Sequence, residues 1–299
     1  MKYLTSRQIA KKWRISERSV RNYCILGRVP GAIQGERIWL IPENAKKPDR
    51  QIRHTNKVKS LLEILKEEKA TKLPGRIYHT LQIEMTYNSN HIEGSKLTHD
   101  QTRYIFETHT VSFNKKGSPL VNDIIETVNH FRCIDLVIDA ANYKLSEAFI
   151  KQLHFALKVN TIDAMNPDFK VGAYKKLENV VGGVDTIPPE RVPYEMARLL
   201  KEYNEKENIT VYDIIDFHKR FESIHPFQDG NGRVGRLIML KECLKHNIVP
   251  ILITDEFKDF YYRGLKEYKR EKGYLIDTCL NGQDIFKKYL DYFHIKYNK

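Results

Sequence analysis

From about residue 61 onward, hydrophobic positions recur three and four residues apart. The stretches LLEILKEEK, RIYHTLQIEMTYNSNHIE, THDQTRYIFETHT, NDIIETVNHFRCIDLVIDA and VYDIIDFHKRFESI all carry this spacing, which predicts helices with one buried face. Thr98 followed by Gln101 reads as a capping box at a helix start. One segment breaks the pattern: KVGAYKKLENVVGGVDTIPPERVP. Its β-branched residues, its Gly182-Gly183 pair and the Pro188-Pro189 stop predict a short hairpin, or flap, near residues 171–189. The Lys- and Tyr-rich C-terminal stretch reads as an amphipathic closing helix. No internal repeat or low-complexity tract interrupts this body.

The first 60 residues follow a different rhythm. Residues 4–13 and 16–26 predict two short helices, the first capped by Thr5 with Gln8 and carrying Ile9, Ala10 and Trp13 on one face. Ser16 is placed to cap the second, Val20, Tyr23 and Cys24 form its apolar stripe, and Gly27 stops it. Arg14-Ile15 is a connection short enough for a helix-turn-helix. In GRVPGAIQGERIWLIP, Gly35 lies between two extended apolar stretches and predicts a small hairpin, or wing. Such a head would aim Arg18, Ser19, Arg21 and Asn22 at bases or phosphates of a major groove. It resembles the winged helix-turn-helix heads of excisionase-like and MerR-like regulators; the bland reading is a helical pair with solvated arginines. Residues 46–60 read as a basic linker.

Charge sharpens this division. The chain has 299 residues and a net charge of +12. Residues 1–60 hold fifteen Lys and Arg against four Asp and Glu, so +11 of that charge falls in the first fifth. A basic head on a near-neutral body points to a polyanion, duplex DNA, as partner of residues 1–45. Cys24, Cys133, Cys243 and Cys279 lie far apart without CxxC spacing, which argues against a disulfide framework or a zinc site. With no signal-like N-terminus and no run of membrane-spanning length, a cytoplasmic location and no membrane partner are expected.

Candidate chemistry is concentrated in His225–Arg236, HPFQDGNGRVGR. Gly230, Gly232 and Gly235 match GxGxxG, but the preceding residues have helical spacing and end at a proline, so the βαβ context of a dinucleotide fingerprint is missing. A phosphate-handling loop fits better. His225 is a proton acceptor near neutral pH, and Asp229 is a hard oxygen ligand suited to Mg²⁺. Gly230-Asn231-Gly232 lets backbone amides close on phosphate oxygens at a helix start. Arg233 and Arg236, three apart, would share a face and fork onto phosphates.

These twelve residues match the Fic family signature HxFx(D/E)GNGRxxR at every defined position, and the resemblance extends from about residue 60 to the C-terminus. It implies an all-α Fic-type helical domain over residues 61–299 with a small β-hairpin flap, preceded by the small winged helix-turn-helix domain. Family members usually transfer AMP from ATP to a protein hydroxyl. The resemblance therefore implies that His225 is the base and that Asp229 holds Mg²⁺. Gly230, Asn231, Gly232 and Arg233, with Val234 and Gly235 beside them, would bind ATP phosphates, and Arg236 its γ-phosphate. Val181, Gly182, Gly183 and Val184 on the flap would cover the nucleotide and dock the target. Phe260–Leu265 looks like the adenine-side segment, giving Tyr261 and Tyr262 as contacts. Gly232 separates this chain from the Doc-like branch, which has lysine there. Lys269 departs from the polar residue of some relatives, so base preference stays open.

A second resemblance precedes the core. Ser89-Asn90-His91-Ile92-Glu93-Gly94 is similar to the family's inhibitory motif (S/T)xxxE(G/N), on a helix expected near residues 80–94. Glu93 would pair with Arg236 and withhold it from ATP, or position a water that removes AMP from the target. The plainer reading makes Gly94 an ordinary helix C-cap. His130, His154 and His218 form no metal-ligand spacing. The leading expectation is an autoinhibited protein adenylyltransferase acting on a Ser, Thr or Tyr hydroxyl. The alternatives are a DNA-binding regulator whose Fic body senses nucleotide, and a phosphoryl or phosphocholine transferase. An isologous homodimer is compatible with such a body.

Overall fold

The computed structural model describes residues 2–25, 27–35, 38–48, 59–71, 73–111, 119–181 and 184–297. The chain divides into two compact units, Met1–Lys57 and Val58–Lys299.

In the first unit, β1 (Tyr3–Thr5) leads into α1 (Ser6–Trp13) and α2 (Glu17–Ile25), followed by β2 (Ile33–Gln34) and β3 (Trp39–Pro42). The three strands form an antiparallel sheet in the order β1-β3-β2. The first helix therefore starts at Ser6 rather than residue 4. Leu4 pairs with Ile41 in the sheet, a contact whose partner lies too far along the chain for local periodicity to reveal. Thr5 ends the strand and caps the helix, with the Thr5–Gln8 box formed in both directions. Ser16 caps α2 through the Ser19 amide. The hairpin turn begins at Gly35, whose amide donates to the Ile38 carbonyl at 2.8 Å, while residues 36–37 of the expected wing lie outside the described residues. Ile9, Trp13, Val20, Cys24, Val29 and Ile41 make this unit's own apolar core. Most of the expected linker, residues 49–58, also lies outside the described residues.

The second unit is helical. Its helices are α3 (Leu61–Thr71), α4 (Ile77–Ile92), α5 (His99–Thr108), α6 (Val121–Ala140), α7 (Glu147–Lys158), the short α8 (Ile162–Met165), α9 (Val192–Asn204), α10 (Val211–Ile224), α11 (Asn231–Lys245), α12 (Lys258–Glu267) and α13 (Gly273–Tyr292). Between α8 and α9, β4 (Val180–Val181) pairs antiparallel with β5 (Val184–Asp185). This is the expected flap, narrower than residues 171–189; Gly182 and Gly183 lie outside the described residues. The Thr98–Gln101 capping box opens α5.

Helix α11 packs against α3, α4, α6, α7 and α10. Nearly every residue from Asn231 to Leu244 is buried, so its charged side chains must find partners inside the protein. Lys241 donates to Glu242 at 2.7 Å and to the Tyr143 carbonyl at 2.7 Å. The other two, Arg233 and Arg236, belong to the site. Cys24, Cys133, Cys243 and Cys279 are free thiols, all buried. Among the described residues no helix is long and apolar enough to cross a membrane.

Candidate active site

The site is a sharp corner between α10 and α11. His225 closes α10 in the left-handed conformation at φ 51°, and Gly230, at φ 78°, opens α11. The six-residue connection between the helices, 225–230, is held from both sides. Asn231 Oδ1 accepts from the Phe227 amide and its Nδ2 donates to the Phe227 carbonyl, both at 2.8 Å. The Phe227 ring is fully buried and stacks flat on His154 at 3.9 Å. His154 Nδ1 accepts from the Gly172 amide at 2.9 Å, which leaves Nε2–H to donate to the Asp229 carbonyl at 3.1 Å. Burial lowers His154 to about 4, so it is a neutral, single-tautomer strut.

His225 is also neutral. Burial, with Lys175 adding to it, lowers its pKa to about 4, and the ring is free to accept a proton at neutral pH. Lys175 ties the flap to the loop: its amide donates to the Pro226 carbonyl at 2.9 Å, and its Nζ to Asn179 Oδ1 at 2.6 Å and Thr186 Oγ1 at 2.5 Å. Asn179 Nδ2 in turn reaches the Phe227 carbonyl at 3.2 Å. The base of the β4–β5 hairpin is thus fixed relative to His225.

Asp229 is held ionised. Burial opposes its charge, but Arg233 and Lys158 outweigh that and lower it to about 2. Its Oδ2 accepts from Lys158 Nζ at 2.6 Å and Arg233 Nη2 at 3.3 Å. Arg233 also bonds Glu126 through Nη1. The guanidinium of Arg233 and the side chain of Asn231, expected on phosphates, are engaged in holding the loop. Val234 is fully buried in the core, and Gly235 lies under His218 and Glu222, where a Cβ would meet them at 2.6–2.8 Å. Neither offers a side-chain contact to a nucleotide.

At the other end of the nest lies Arg236. Its Nη2 donates to Glu93 Oε1 at 2.7 Å and to the Ser89 carbonyl at 2.9 Å, and its Nε to Ser89 Oγ at 2.9 Å. Glu93 caps the C-terminal end of α4, and Gly94 turns the chain away at φ 98°. The Glu93 carboxylate reaches over the start of α11, so that a Cβ on Gly232 would stand 2.2 Å from Oε1. The Glu93 carboxylate therefore stands against the first turn of α11, beside Arg236. Tyr261, expected beside adenine, is instead 1% exposed, with its hydroxyl on His218 Nε2 at 2.7 Å and 3.5 Å from Arg236 Nη1. It forms a wall of the Arg236 cage. Tyr262 is half-exposed and its hydroxyl donates to the Ile92 carbonyl at 3.0 Å, fastening the end of α4. In the first unit, Arg18, Arg21 and Asn22 are exposed on α2; Arg21 pairs with Glu17 at 2.6 Å, and Ser19 is bonded to Ser16.

Motif reading missed Glu126, Lys158, Asp163, His154 and Lys175. The first three have their oxygens or nitrogen in one cluster at Asp229. A buried lysine at a helix end is a weak signal that periodicity alone could have raised.

Comparison with known proteins fits this geometry. The model of the Fic/DOC family matches residues 144–243. A curated relative, the probable protein adenylyltransferase aq_aa38 of Aquifex aeolicus, is 27% identical over 170 residues, covering 54% of this chain and 51% of that protein. The protein adenylyltransferase Fic of Drosophila erecta is 29% identical over 190 residues, covering 60% of this chain and 36% of that protein. The chain thus spans about half or less of the length of these relatives. Among solved structures, a Fic domain containing signaling protein from Bacteroides thetaiotaomicron aligns with TM-score 0.62 at 24% identity, covering 80% of this chain and 99% of that one. Fic-1 from C. elegans aligns with TM-score 0.60 at 19% identity, over 77% and 70% of the two chains. These likenesses establish the helical fold of the second unit.

Proposed function

We propose that this chain, whose residues 144–243 match the model of the Fic/DOC family, is a protein adenylyltransferase that moves AMP from ATP to a Ser, Thr or Tyr hydroxyl and is restrained by Glu93. The observation that carries this reading is the carboxylate of Glu93 lying over Gly232 and paired with Arg236: the nest accepts an anion, and its arginine is held by a group that a phosphate can replace.

With Glu93 withdrawn, the Gly230, Asn231 and Gly232 amides cap phosphate oxygens and Arg236 forks onto the terminal phosphate. Neutral His225 takes the proton of the target hydroxyl. The hydroxyl oxygen bonds to the α-phosphorus as the bond from that phosphorus to its bridging oxygen breaks, so the protein gains AMP and pyrophosphate leaves. Asp229, an ionised oxygen donor, fits a hard divalent ion and would hold Mg²⁺; bound there, the ion would neutralise phosphate charge. The β4–β5 edge, Val181 and Val184 included, offers main-chain groups to an extended target segment.

The test is incorporation of α-labelled ATP into protein by wild type, Glu93→Gly and Glu93→Gly/His225→Ala. Label that rises in the single mutant and vanishes in the double mutant is expected, with none transferred from γ-labelled ATP. Transfer of the γ-label would instead identify a phosphoryl transferase, and no transfer of either would favour the nucleotide-sensing regulator.

For the first unit we propose duplex DNA as partner. The +11 charge of residues 1–60 and the exposed Arg18, Arg21 and Asn22 on α2 support this, with Ser19 on the same turn. Binding through several phosphates weakens steeply with salt. Unchanged DNA mobility at low salt would overturn it.

A further inference from the structure

Beside the transfer site lies a buried ammonium ringed by carboxylates. Lys158 closes α7 with its side chain only 2% exposed, and its Nζ donates to Glu126 Oε1 at 2.6 Å, to Asp229 Oδ2 at 2.6 Å and to Asp163. Three N–H groups meet three carboxylates, so the ammonium is fully satisfied. The side-chain oxygens of Glu126, Asp163 and Asp229 lie within 4.8 Å of one another, which is the spacing of a cation cage, and Lys158 fills it. Arg233 takes the other Glu126 oxygen and shares Asp229 Oδ2. Both side-chain cations therefore act on one oxygen of Asp229. Among the described residues no side chain donates to Oδ1.

We propose that Lys158 is a positioning residue: its ammonium takes the place of a second cation, pins Asp229 by Oδ2 and reserves Oδ1 for the divalent ion that arrives with the nucleotide. This rests on the reading of Asp229 as the ligand of that ion. The physical need is clear from the charges. Without the ammonium, three carboxylates would face one another with Arg233 alone between them. A free divalent ion would then be drawn into the cage before any nucleotide bound, and Asp229 would turn toward it. A lysine cannot dissociate from the chain, so the cage stays filled and Asp229 stays aimed.

Two measurements on full-length Glu93→Gly test this, with and without Lys158→Met: Mn²⁺ binding followed by the electron spin resonance of the free ion, and the Mg²⁺ concentration that half-saturates labelling from ATP. Partners that orient a metal ligand are worth about 10- to 100-fold in metal affinity, so Lys158→Met is expected to raise half-saturating Mg²⁺ about tenfold and leave the KM for ATP at saturating Mg²⁺ within about twofold. It is also expected to bind Mn²⁺ without nucleotide, and the parent is expected not to. If Lys158→Met does not fold, Asp163→Asn removes one partner of Lys158 without touching Asp229 and should raise half-saturating Mg²⁺ about threefold. A folded Lys158 or Asp163 variant that matches the parent in both measurements overturns the inference. A Glu93→Gly parent that neither labels protein nor binds Mn²⁺ with ATP overturns the adenylyltransferase reading beneath it.

Discussion

Arg233 and Arg236 are three residues apart on one helix and equally buried, each with 4% of its side chain exposed, yet their surroundings differ in kind. Arg233 is bonded to Glu126, whose side chain is 12% exposed, and to Asp229, and Lys158 binds both of those carboxylates from the other side. Every member of that cluster comes from a helix or loop packed into the body. Among the described residues Arg236 has one carboxylate partner, Glu93, 25% exposed and placed just past the end of α4. The first cage is part of the fold. The second is closed by a residue at the end of a helix, whose carboxylate bonds Arg236. Burial of a charge thus says little about its role until the attachment of its partner is known.

The comparison breaks most visibly if the first cage is emptied. Removing one member of a buried ion pair leaves the others uncompensated, so Arg233→Ala should cost about 3–5 kcal/mol in urea unfolding, and Arg233→Lys should recover little because one ammonium cannot replace two divergent N–H groups. Equal losses for Arg233→Ala and Glu93→Gly would erase the distinction. Glu93→Gly should lower stability by less, about 1–2 kcal/mol, since Arg236 keeps its bonds to the Ser89 hydroxyl and carbonyl. The same change should raise labelling from α-labelled ATP at least about tenfold.

Each cage is also backed by a buried neutral histidine, His154 behind Asp229 and His218 behind Tyr261 and Arg236. Burial lowers them to about 4 and about 3. A lowered histidine takes up its proton in the unfolded chain first. Its contribution is therefore complete above about pH 6.5 and lost as pH falls from there toward 4. Replacing either by Gln should remove about 2 kcal/mol from the difference in stability between pH 7 and pH 5. Glu222, which burial lifts to about 8, runs the other way, its contribution fading as pH rises from 4.5 toward 8, so the wild-type slope is shallower than its histidines alone would make it. The smallest effect belongs to Ser89. Ser89→Ala deletes the bond to Arg236 Nε and should cost about 1 kcal/mol while raising basal labelling a few-fold.

What the sequence made legible follows from how each feature is built. His225, Asp229, Gly230 and Arg236 were readable because a contiguous loop carries them in fixed order. Glu93 was readable because its motif is short and intact. Glu126 and Lys158 were not, since they reach Asp229 and Arg233 from about 70 to 107 residues away, and each looks like an ordinary charge on its own helix. From its place in the chain Tyr261 reads as a nucleotide contact, but its side of α12 faces His218 and Arg236. The helices of the body were plain from periodicity, whereas β1 was not: three residues owe their conformation to Leu40, Ile41 and Pro42 across the sheet.

The bare Cα of Gly232 has one more consequence. A methyl group there would collide with Glu93 Oε1 at 2.2 Å, while alanine suits the first turn of a helix. On the proposed reading, Gly232→Ala penalises the closed conformer, with Glu93 against Gly232, and spares one from which Glu93 has withdrawn, acting on populations rather than on a bond. A penalty of about 2.7 kcal/mol brings a hundredfold preference for the closed conformer to parity. In the restraint proposed above, the absence of one carbon atom is then as much a part as the glutamate that occupies the space.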